Sequence, residues 1–130
     1  LLVGFGSGYM AALAASLSAQ VYAIDRFSRL VEEGRARLER LGIGNVTLKQ
    51  GDGQAGWPEA GPFDRIVLAC CVPEVPEMLL DQLVWGGRLA AALVQGNVRA
   101  ILSLAPSGET LRTPFFQQVP ALIEGRAEVL

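Results

Sequence analysis

The chain opens on the stretch Leu1-Leu2-Val3-Gly4-Phe5-Gly6-Ser7-Gly8-Tyr9, and a run rich in alanine and leucine follows it at residues 10–17. Three apolar residues, a glycine-rich turn and a helical pattern predict the order strand, turn, helix. Because glycine has no Cβ, such a turn can bring a ligand against main-chain N–H groups at the positive end of a helix. The spacing is GxGxG, and Tyr9 stands where the dinucleotide fingerprint GxGxxG has its third glycine. The turn therefore favours an adenosyl ligand other than NAD, although tight strand-to-helix turns without a ligand also carry glycines.

The composition narrows the class of protein. The 130 residues suffice for one domain with a single core, and 11 basic against 13 acidic residues give a formal charge of −2. No block of like charge occurs, so neither nucleic acid nor an anionic membrane is expected as a partner. No apolar run approaches the roughly 18–20 residues of a membrane span. The chain has no histidine and only two cysteines, Cys70 and Cys71, so no metal site is expected and a reducing cytoplasm is the predicted location.

Short apolar runs alternate with helical patterns along the chain, which predicts βαβ units and a parallel sheet. Besides the opening strand, strands are predicted at residues 20–25, 46–50, 65–69 and 88–94, and helices at residues 7–17, 28–41 and 74–83. Two further extended runs, 98–105 and 110–119, flank the turn at 106–109 and predict an antiparallel hairpin. The expected fold is α/β, with a mostly parallel twisted sheet, flanking helices and an antiparallel C-terminal hairpin.

Two aspartates follow neighbouring predicted strands. Asp25 ends the second strand, seventeen residues beyond Gly8, and its carboxylate has lone pairs for both hydroxyls of a ribose. Asp52, within Gly51-Asp52-Gly53 after the third strand, can accept from the exocyclic amine of adenine. Each acid has an alternative role in its own turn, since Asp25 can cap the next helix and Asp52 can form an Asp-Gly turn. The order of glycine turn and two acids after successive strands favours one bound nucleoside.

Four segments give the chain a family resemblance. They are GSGYMAAL at 6–13, NVTLKQGDGQAGWPEAGPFDRIVLA at 45–69, VPEVPEMLLDQL at 72–83 and GGRLAA at 86–91. The sequence resembles class I S-adenosylmethionine-dependent methyltransferases and, more narrowly, the protein-L-isoaspartate O-methyltransferase family. The last segment is common to many methyltransferases, whereas the second and third are more specific to this family. The resemblance implies a Rossmann-like methyltransferase fold.

The resemblance also implies a cofactor, S-adenosyl-L-methionine, and a site for it. The residues that would contact the cofactor are Gly4, Phe5, Gly6, Ser7, Gly8, Asp25, Arg26, Asp52 and Gly53. The residues of the substrate loop would be Cys70, Cys71, Val72 and Pro73. For the two cysteines, a role as small buried residues at a strand end is favoured over a nucleophilic or redox role.

Two features depart from the family pattern. Family members usually carry an acid two positions before the first glycine, and Leu2 stands there. The family's serine-containing substrate segment precedes the glycine turn, and no residue of this chain matches it. The chain is therefore expected to be a single methyltransferase domain, residues 1–130, that lacks its N-terminal part, and the catalytic residues are expected upstream of Leu1.

The implied reaction is methyl transfer to the carboxylate of L-isoaspartyl residues in damaged proteins, which is a repair activity. A carboxylate has a reference pKa near ~4, so it is ionised at neutral pH and needs no strong base. Two alternatives remain open at this point. Leu2 and the unmatched substrate segment also fit a degenerate binding module, and the strand-turn-helix with Asp25 also fits a nicotinamide-dependent oxidoreductase. The sequence does not predict an oligomeric state.

Overall fold

The structure is a computed structural model that describes residues 1–95, 98–105, 107–108 and 110–114. Within these residues seven strands form one sheet. The strands are β1 (Leu2–Val3), β2 (Val21–Asp25), β3 (Val46–Gln50), β4 (Phe63–Val72), β5 (Leu83–Gln95), β6 (Val98–Leu104) and β7 (Thr110–Pro114). The helices are α1 (Tyr9–Leu17), α2 (Ser28–Arg40) and α3 (Glu77–Leu80), with one 3-10 turn at Pro58–Ala60.

The strand order is β3-β2-β1-β4-β5-β6-β7, so that β1 lies between β2 and β4. Strands β1 to β5 pair in parallel, and β6 pairs with β5 and β7 in antiparallel fashion. The predicted mixed sheet and its hairpin are confirmed, with residues 115–119 of the predicted second hairpin strand outside the described part. From β1 the chain moves outward to β3 and then returns to β4. Open sheets bind ligands where the strand order reverses in this way, at the carboxyl ends of the strands.

Side chains that alternate along the strands build a core on each face of the sheet. On one face the buried residues include Val3, Ile24, Ile66 and Leu89, which pack with Leu79 of α3. On the other face Leu2, Val21 and Ala23 pack with Ala11 of α1 and with Val31 and Leu38 of α2. Leu2 and Val3 of β1 are therefore buried on opposite faces of the sheet. Because both residues are anchored in this way, the start of the glycine turn that follows them is held in place.

Two predicted helices have wrong boundaries, and β4 and β5 are longer than the predicted strands at 65–69 and 88–94. The helix predicted at 74–83 is limited to α3, because Pro76 precedes its first residue and Leu83 pairs with Phe63 in the sheet. The first helix begins at Tyr9, since Gly8 before it has a left-handed φ of 90° that a helical residue cannot have. No helix among the described residues is long and apolar enough to cross a membrane.

Candidate functional site

The glycine turn leaves β1 at the carboxyl edge of the sheet. Gly4, Gly6 and Gly8 have φ values of 77°, 55° and 90°, which lie in the region that residues with a Cβ rarely adopt. The N–H of Gly4 donates to the carbonyl of Ile24 in β2 at 2.9 Å, and the N–H of Gly8 closes the turn onto the carbonyl of Phe5 at 3.0 Å. The turn is therefore a defined cradle at the start of α1.

Asp25 joins this cradle to the next turn. It is 7% exposed, its Oδ2 accepts the N–H of Gly6 at 3.0 Å, and its Oδ1 accepts the N–H of Phe27 at 3.2 Å. Each carboxylate oxygen has two lone pairs, so further acceptor capacity remains beside these bonds. Asp25 therefore organises two turns and retains the chemistry that a ribose diol needs, but the alternative role as a cap is wrong, because α2 begins after Phe27 without a side-chain cap.

Helix α2 supports the cradle from the side. A Cβ on Gly34 would lie 2.9 Å from Cε2 of Phe5, so the helix approaches the turn closely only because glycine stands there. Arg37 donates to the carbonyl of Ser7 at 3.0 Å and pairs with Glu33 at 2.6 Å. Sequence reasoning missed Arg37, because an arginine four residues after a glutamate is typical of an exposed helix surface.

Arg26 follows Asp25 and has a partly buried side chain whose polar atoms are not all paired. Its Nε and Nη1 are buried and have no hydrogen-bond partner among the described residues. The guanidinium lies 5.4 Å from the centroid of the Phe27 ring. Burying a donor without a hydrogen-bond partner lowers the stability of the folded state. An acceptor atom of a ligand, or the face of an aromatic ring of a ligand, would offset that loss.

The loop after β3 brings the second aspartate to the same edge. The N–H of Gly51 donates to the main-chain carbonyl of Asp25 at 3.0 Å, which ties the start of the loop to β2. Asp52 Oδ1 accepts the N–H of Gln54 at 2.9 Å, so the carboxylate forms the Asp turn that was its alternative role. Gly53 is buried beside it. The structure thus brings the glycine turn, Asp25 and Gly51-Asp52-Gly53 together, as the sequence predicted.

The GWPE segment at 56–59 follows this loop and packs against the hydrophobic core through Trp57. Trp57 packs edge-on against Tyr22 with ring centroids 5.4 Å apart, and Lys49 Nζ lies 4.9 Å from the Trp57 centroid. A further residue that sequence reasoning missed is Gln82, whose buried amide binds the main chain of the same segment. A single glutamine after an acid in an amphipathic run gives no sequence sign of burial. The GWPE segment is therefore held by Tyr22 and Gln82, and it anchors the end of the loop that carries Asp52.

The predicted substrate loop lies partly inside a strand. Cys70, Cys71 and Val72 are the last residues of β4, and Pro73 follows the strand. After a shift in register, Cys71 and Val72 pair with Ala92 and Leu93 of β5, which extends the strand three residues beyond its predicted end at residue 69. The prediction of a loop at residues 70–72 is therefore wrong in placement, while Cys70 does lie next to the glycine turn.

Cys70 contacts the turn directly. Its Sγ lies 3.5 Å from the position that a Cβ on Gly4 would occupy. Burial, together with Cys71 and Asp25, raises the pKa of the Cys70 thiol to about 12. The thiol is therefore protonated at neutral pH and packs as a small apolar group, in keeping with the favoured interpretation. Among the described residues no group of three or more His, Cys, Asp or Glu side chains could hold a metal ion.

A reversal of strand order, a glycine cradle and an acid at the end of β2 are typical of Rossmann-like domains that bind a nucleoside cofactor, and comparison with known proteins places this domain among the methyltransferases. A family model for protein-L-isoaspartate(D-aspartate) O-methyltransferase matches residues 1–109. A solved protein-L-isoaspartate O-methyltransferase superimposes with a TM-score of 0.78 at 30% identity, over 93% of this chain and 42% of that chain. The chain belongs to the protein-L-isoaspartate O-methyltransferase family, which confirms the resemblance.

Individual relatives carry the same name. The enzyme from Maricaulis maris is 36% identical over all of this chain and 62% of its own length. The enzyme from Parvibaculum lavamentivorans is 46% identical over 76% of this chain and 45% of its own length. A protein from Plasmodium falciparum, solved in complex with S-adenosyl-L-homocysteine, shares the fold with a TM-score of 0.71 at 23% identity. The chain spans about half the length of the relatives it matches.

Proposed function

We propose that the protein transfers a methyl group from S-adenosyl-L-methionine to the carboxylate of L-isoaspartyl residues in damaged proteins. The observation that carries the proposal is the position of Asp25, which is bound to the glycine cradle and faces the loop of Asp52 at the carboxyl edge of the sheet. Family membership supports the same reaction. Neither the degenerate binding module nor the nicotinamide-dependent oxidoreductase is favoured by the comparisons.

The residues present fit the proposed cofactor. Gly4, Gly6 and Gly8 give the turn a left-handed path without a Cβ on the ligand side. Asp25 retains lone pairs for the ribose hydroxyls, and Asp52 with Gly53 would hold the adenine. The buried Nε and Nη1 of Arg26 have no partner among the described residues, and we assign them to the same ligand. When bound, the cofactor supplies a methyl group on a sulfonium.

The chain's own task is to hold the reacting groups in line. The acceptor carboxylate is ionised at neutral pH, so alignment replaces proton abstraction. This agrees with a chain that contains no histidine. We propose that Cys70, Cys71, Val72 and Pro73 border the acceptor, since β4 ends beside the glycine turn. The protonated thiol of Cys70 then serves only as a small apolar wall.

Partners and location belong to the same proposal. The acceptor is a protein or peptide that carries isoaspartate, and no nucleic acid or membrane is required. We propose a reducing, cytoplasmic location, because the two cysteines of the sequence are adjacent and neighbours in sequence rarely pair with each other. We further propose that residues 1–130 form a single domain of a longer protein, because the relatives are longer.

The test is methyl transfer by the complete protein. Radiolabelled S-adenosylmethionine is offered with an isoaspartyl peptide and, as the matched control, with the same peptide containing normal aspartate. Label should enter the isoaspartyl peptide alone. Calorimetry with S-adenosylhomocysteine runs in parallel. Binding of S-adenosylhomocysteine without methyl transfer would refute isoaspartate as the acceptor. The absence of binding would refute S-adenosylmethionine as the cofactor and favour the degenerate binding module.

A further inference from the structure

Gln82 and Asp25 are the two buried polar residues in the part of the chain that the structure describes. Gln82 is 8% exposed, and its side-chain amide is fully engaged with main-chain groups. Its Nε2 donates to the carbonyls of Ala55 at 2.9 Å and Met78 at 2.8 Å, and its Oε1 accepts the N–H of Trp57 at 2.8 Å. A buried amide with this set of partners holds the three backbone groups in fixed positions.

These bonds fix one end of the loop from Gly51 to Trp57. The other end is fixed at Asp25, whose main-chain carbonyl accepts the N–H of Gly51 at 3.0 Å. Asp52 and Gly53 lie between the two anchors. The course of the loop is therefore set at one end by the main-chain carbonyl of Asp25 and at the other end by the side-chain amide of Gln82.

The packing at Gly56 shows how tightly Gln82 meets the loop. Gly56 has a φ of 66°, and a Cβ there would lie 2.6 Å from Oε1 of Gln82 and 2.7 Å from Cδ2 of Leu79. The backbone at Gly56 and the side-chain amide of Gln82 are therefore in close contact, with no space for a side chain at position 56. Any change in the position of Gln82 must move the loop, since the main-chain groups of Ala55 and Trp57 would otherwise be left unpaired.

We propose that Gln82 is a positioning residue for the cofactor, which acts by holding the Gly51–Trp57 loop so that Asp52 and Gly53 meet the adenine. The inference rests on the proposed function, because it assigns the loop to that ligand. Gln82 would act through the loop, because its side-chain amide is engaged with the main chain of Ala55, Trp57 and Met78. Its loss therefore weakens cofactor affinity and leaves the chemical step intact once the site is filled.

The experiment uses the complete protein and three variants at the contact between Gly56 and Gln82. Gln82→Leu removes the hydrogen bonds, Gly56→Ala drives a Cβ into the amide, and the double variant combines both. Gly86→Ala is the matched control, since Gly86 also has a positive φ, 78°, but a Cβ there would have no atom within 4 Å. The measurements are the Kd for S-adenosylhomocysteine by calorimetry, KM and kcat for S-adenosylmethionine, and the melting temperature.

Each single variant should raise the Kd and the KM for the cofactor about tenfold, with kcat at saturation within about threefold of wild type. The double variant should lose no more affinity than the stronger single variant, because both changes break one contact. Gly86→Ala should lower the melting temperature through backbone strain and leave the Kd unchanged. If Gln82→Leu does not fold, Gly56→Ala alone carries the test.

Three results would contradict the proposals, and each has a different meaning. Wild-type affinity in folded Gln82→Leu or Gly56→Ala would overturn the role of Gln82 while the proposed function stands. An absence of binding by the wild-type protein would instead overturn the proposed function, and with it the assignment of the loop to adenine. A fall in kcat with an unchanged KM would also overturn the inference, since it would put Gln82 in the chemical step.

Discussion

The main-chain N–H of Gly6 donates a hydrogen bond of 3.0 Å to Oδ2 of Asp25, a residue 19 positions further along the chain. This bond joins the turn after β1 to the end of β2, at the edge where the strand order reverses. The carboxylate that the ribose would meet is thus also the group that holds the glycine turn in shape. If Asp25 binds the ribose as proposed, cofactor affinity and local stability are coupled at this residue.

Replacement of Asp25 by asparagine should damage both properties. The amide keeps one acceptor oxygen but turns an NH₂ group toward the N–H of Gly6 or of Phe27, so one donor is left facing another. We expect the free energy of unfolding to fall by about 1–3 kcal/mol and the affinity for S-adenosylhomocysteine to fall about tenfold. Denaturant titration and calorimetry measure the two effects.

Asp64→Asn is the control for that variant, because Asp64 is exposed at the start of β4. Its free energy of unfolding should stay within about 0.5 kcal/mol of wild type. Unchanged cofactor affinity in Asp25→Asn would contradict the ribose role.

Gly34→Ala should destabilise the protein although alanine is the better helix former. In an exposed helix the same change would raise the free energy of unfolding by about 1 kcal/mol. Here the new Cβ would lie 2.9 Å from the ring of Phe5, which is 3% exposed, so the ring or the helix would have to shift within the core. We expect a net loss of about 1–3 kcal/mol in thermal or chemical unfolding and weaker cofactor binding, because Phe5 belongs to the glycine turn.

Gly44→Ala provides the comparison for Gly34→Ala. No atom lies within 4 Å of a Cβ at Gly44, so its stability should remain within about 0.5 kcal/mol of wild type. Equal stability of the two variants would show that the Phe5 ring can yield.

Leu2→Glu tests the missing acid. Leu2 is 3% exposed and packs with Phe5, Ala11 and Val21, so a carboxylate there would enter an apolar cluster. We expect the free energy of unfolding to fall by about 3 kcal/mol or more, measured by denaturant titration. Leu2→Met, which keeps the volume, should cost less than about 1.5 kcal/mol. A stable Leu2→Glu protein would mean that the cluster still contains a polar partner for the acid.

Cys70 should make stability depend on alkaline pH. Burial raises the pKa of its thiol to about 12 in the folded protein, above its ordinary value of 9.0. The contribution to stability is therefore complete below pH 9 and is lost as the pH rises toward 12, because the unfolded thiol ionises first. The difference in unfolding free energy between wild type and Cys70→Ala, measured from pH 8 to pH 11, isolates this effect.

Alkylation gives a second readout of the same thiol. Iodoacetamide at pH 8 should leave Cys70 unmodified in the folded protein and label it after unfolding, as mass spectrometry of the peptides would report. Rapid labelling of Cys70 in the native state would contradict its burial.

The parts of the fold that follow from local pattern were predictable. Strands β2 and β3 lie within one residue of their predicted bounds, because each is an apolar or β-branched run bounded by turn residues. The segment at 74–83 was not predictable in this way. Its leucines fit a helical stripe, yet Leu83 enters the sheet through its pairing with Phe63, and that contact is distant in sequence.

The sequence by itself determined the family, a mostly parallel sheet and the glycine turn with Asp25 and Asp52 at strand ends, since glycine conformation and strand-end position are local properties. Only the tertiary structure decided how these parts are held. The bond from Gly6 to Asp25, the approach of Gly34 to Phe5 and the burial of Gln82 all join residues far apart in the chain. Burial and hydrogen-bond partners depend on what surrounds a residue in space, and residue type alone does not encode those surroundings.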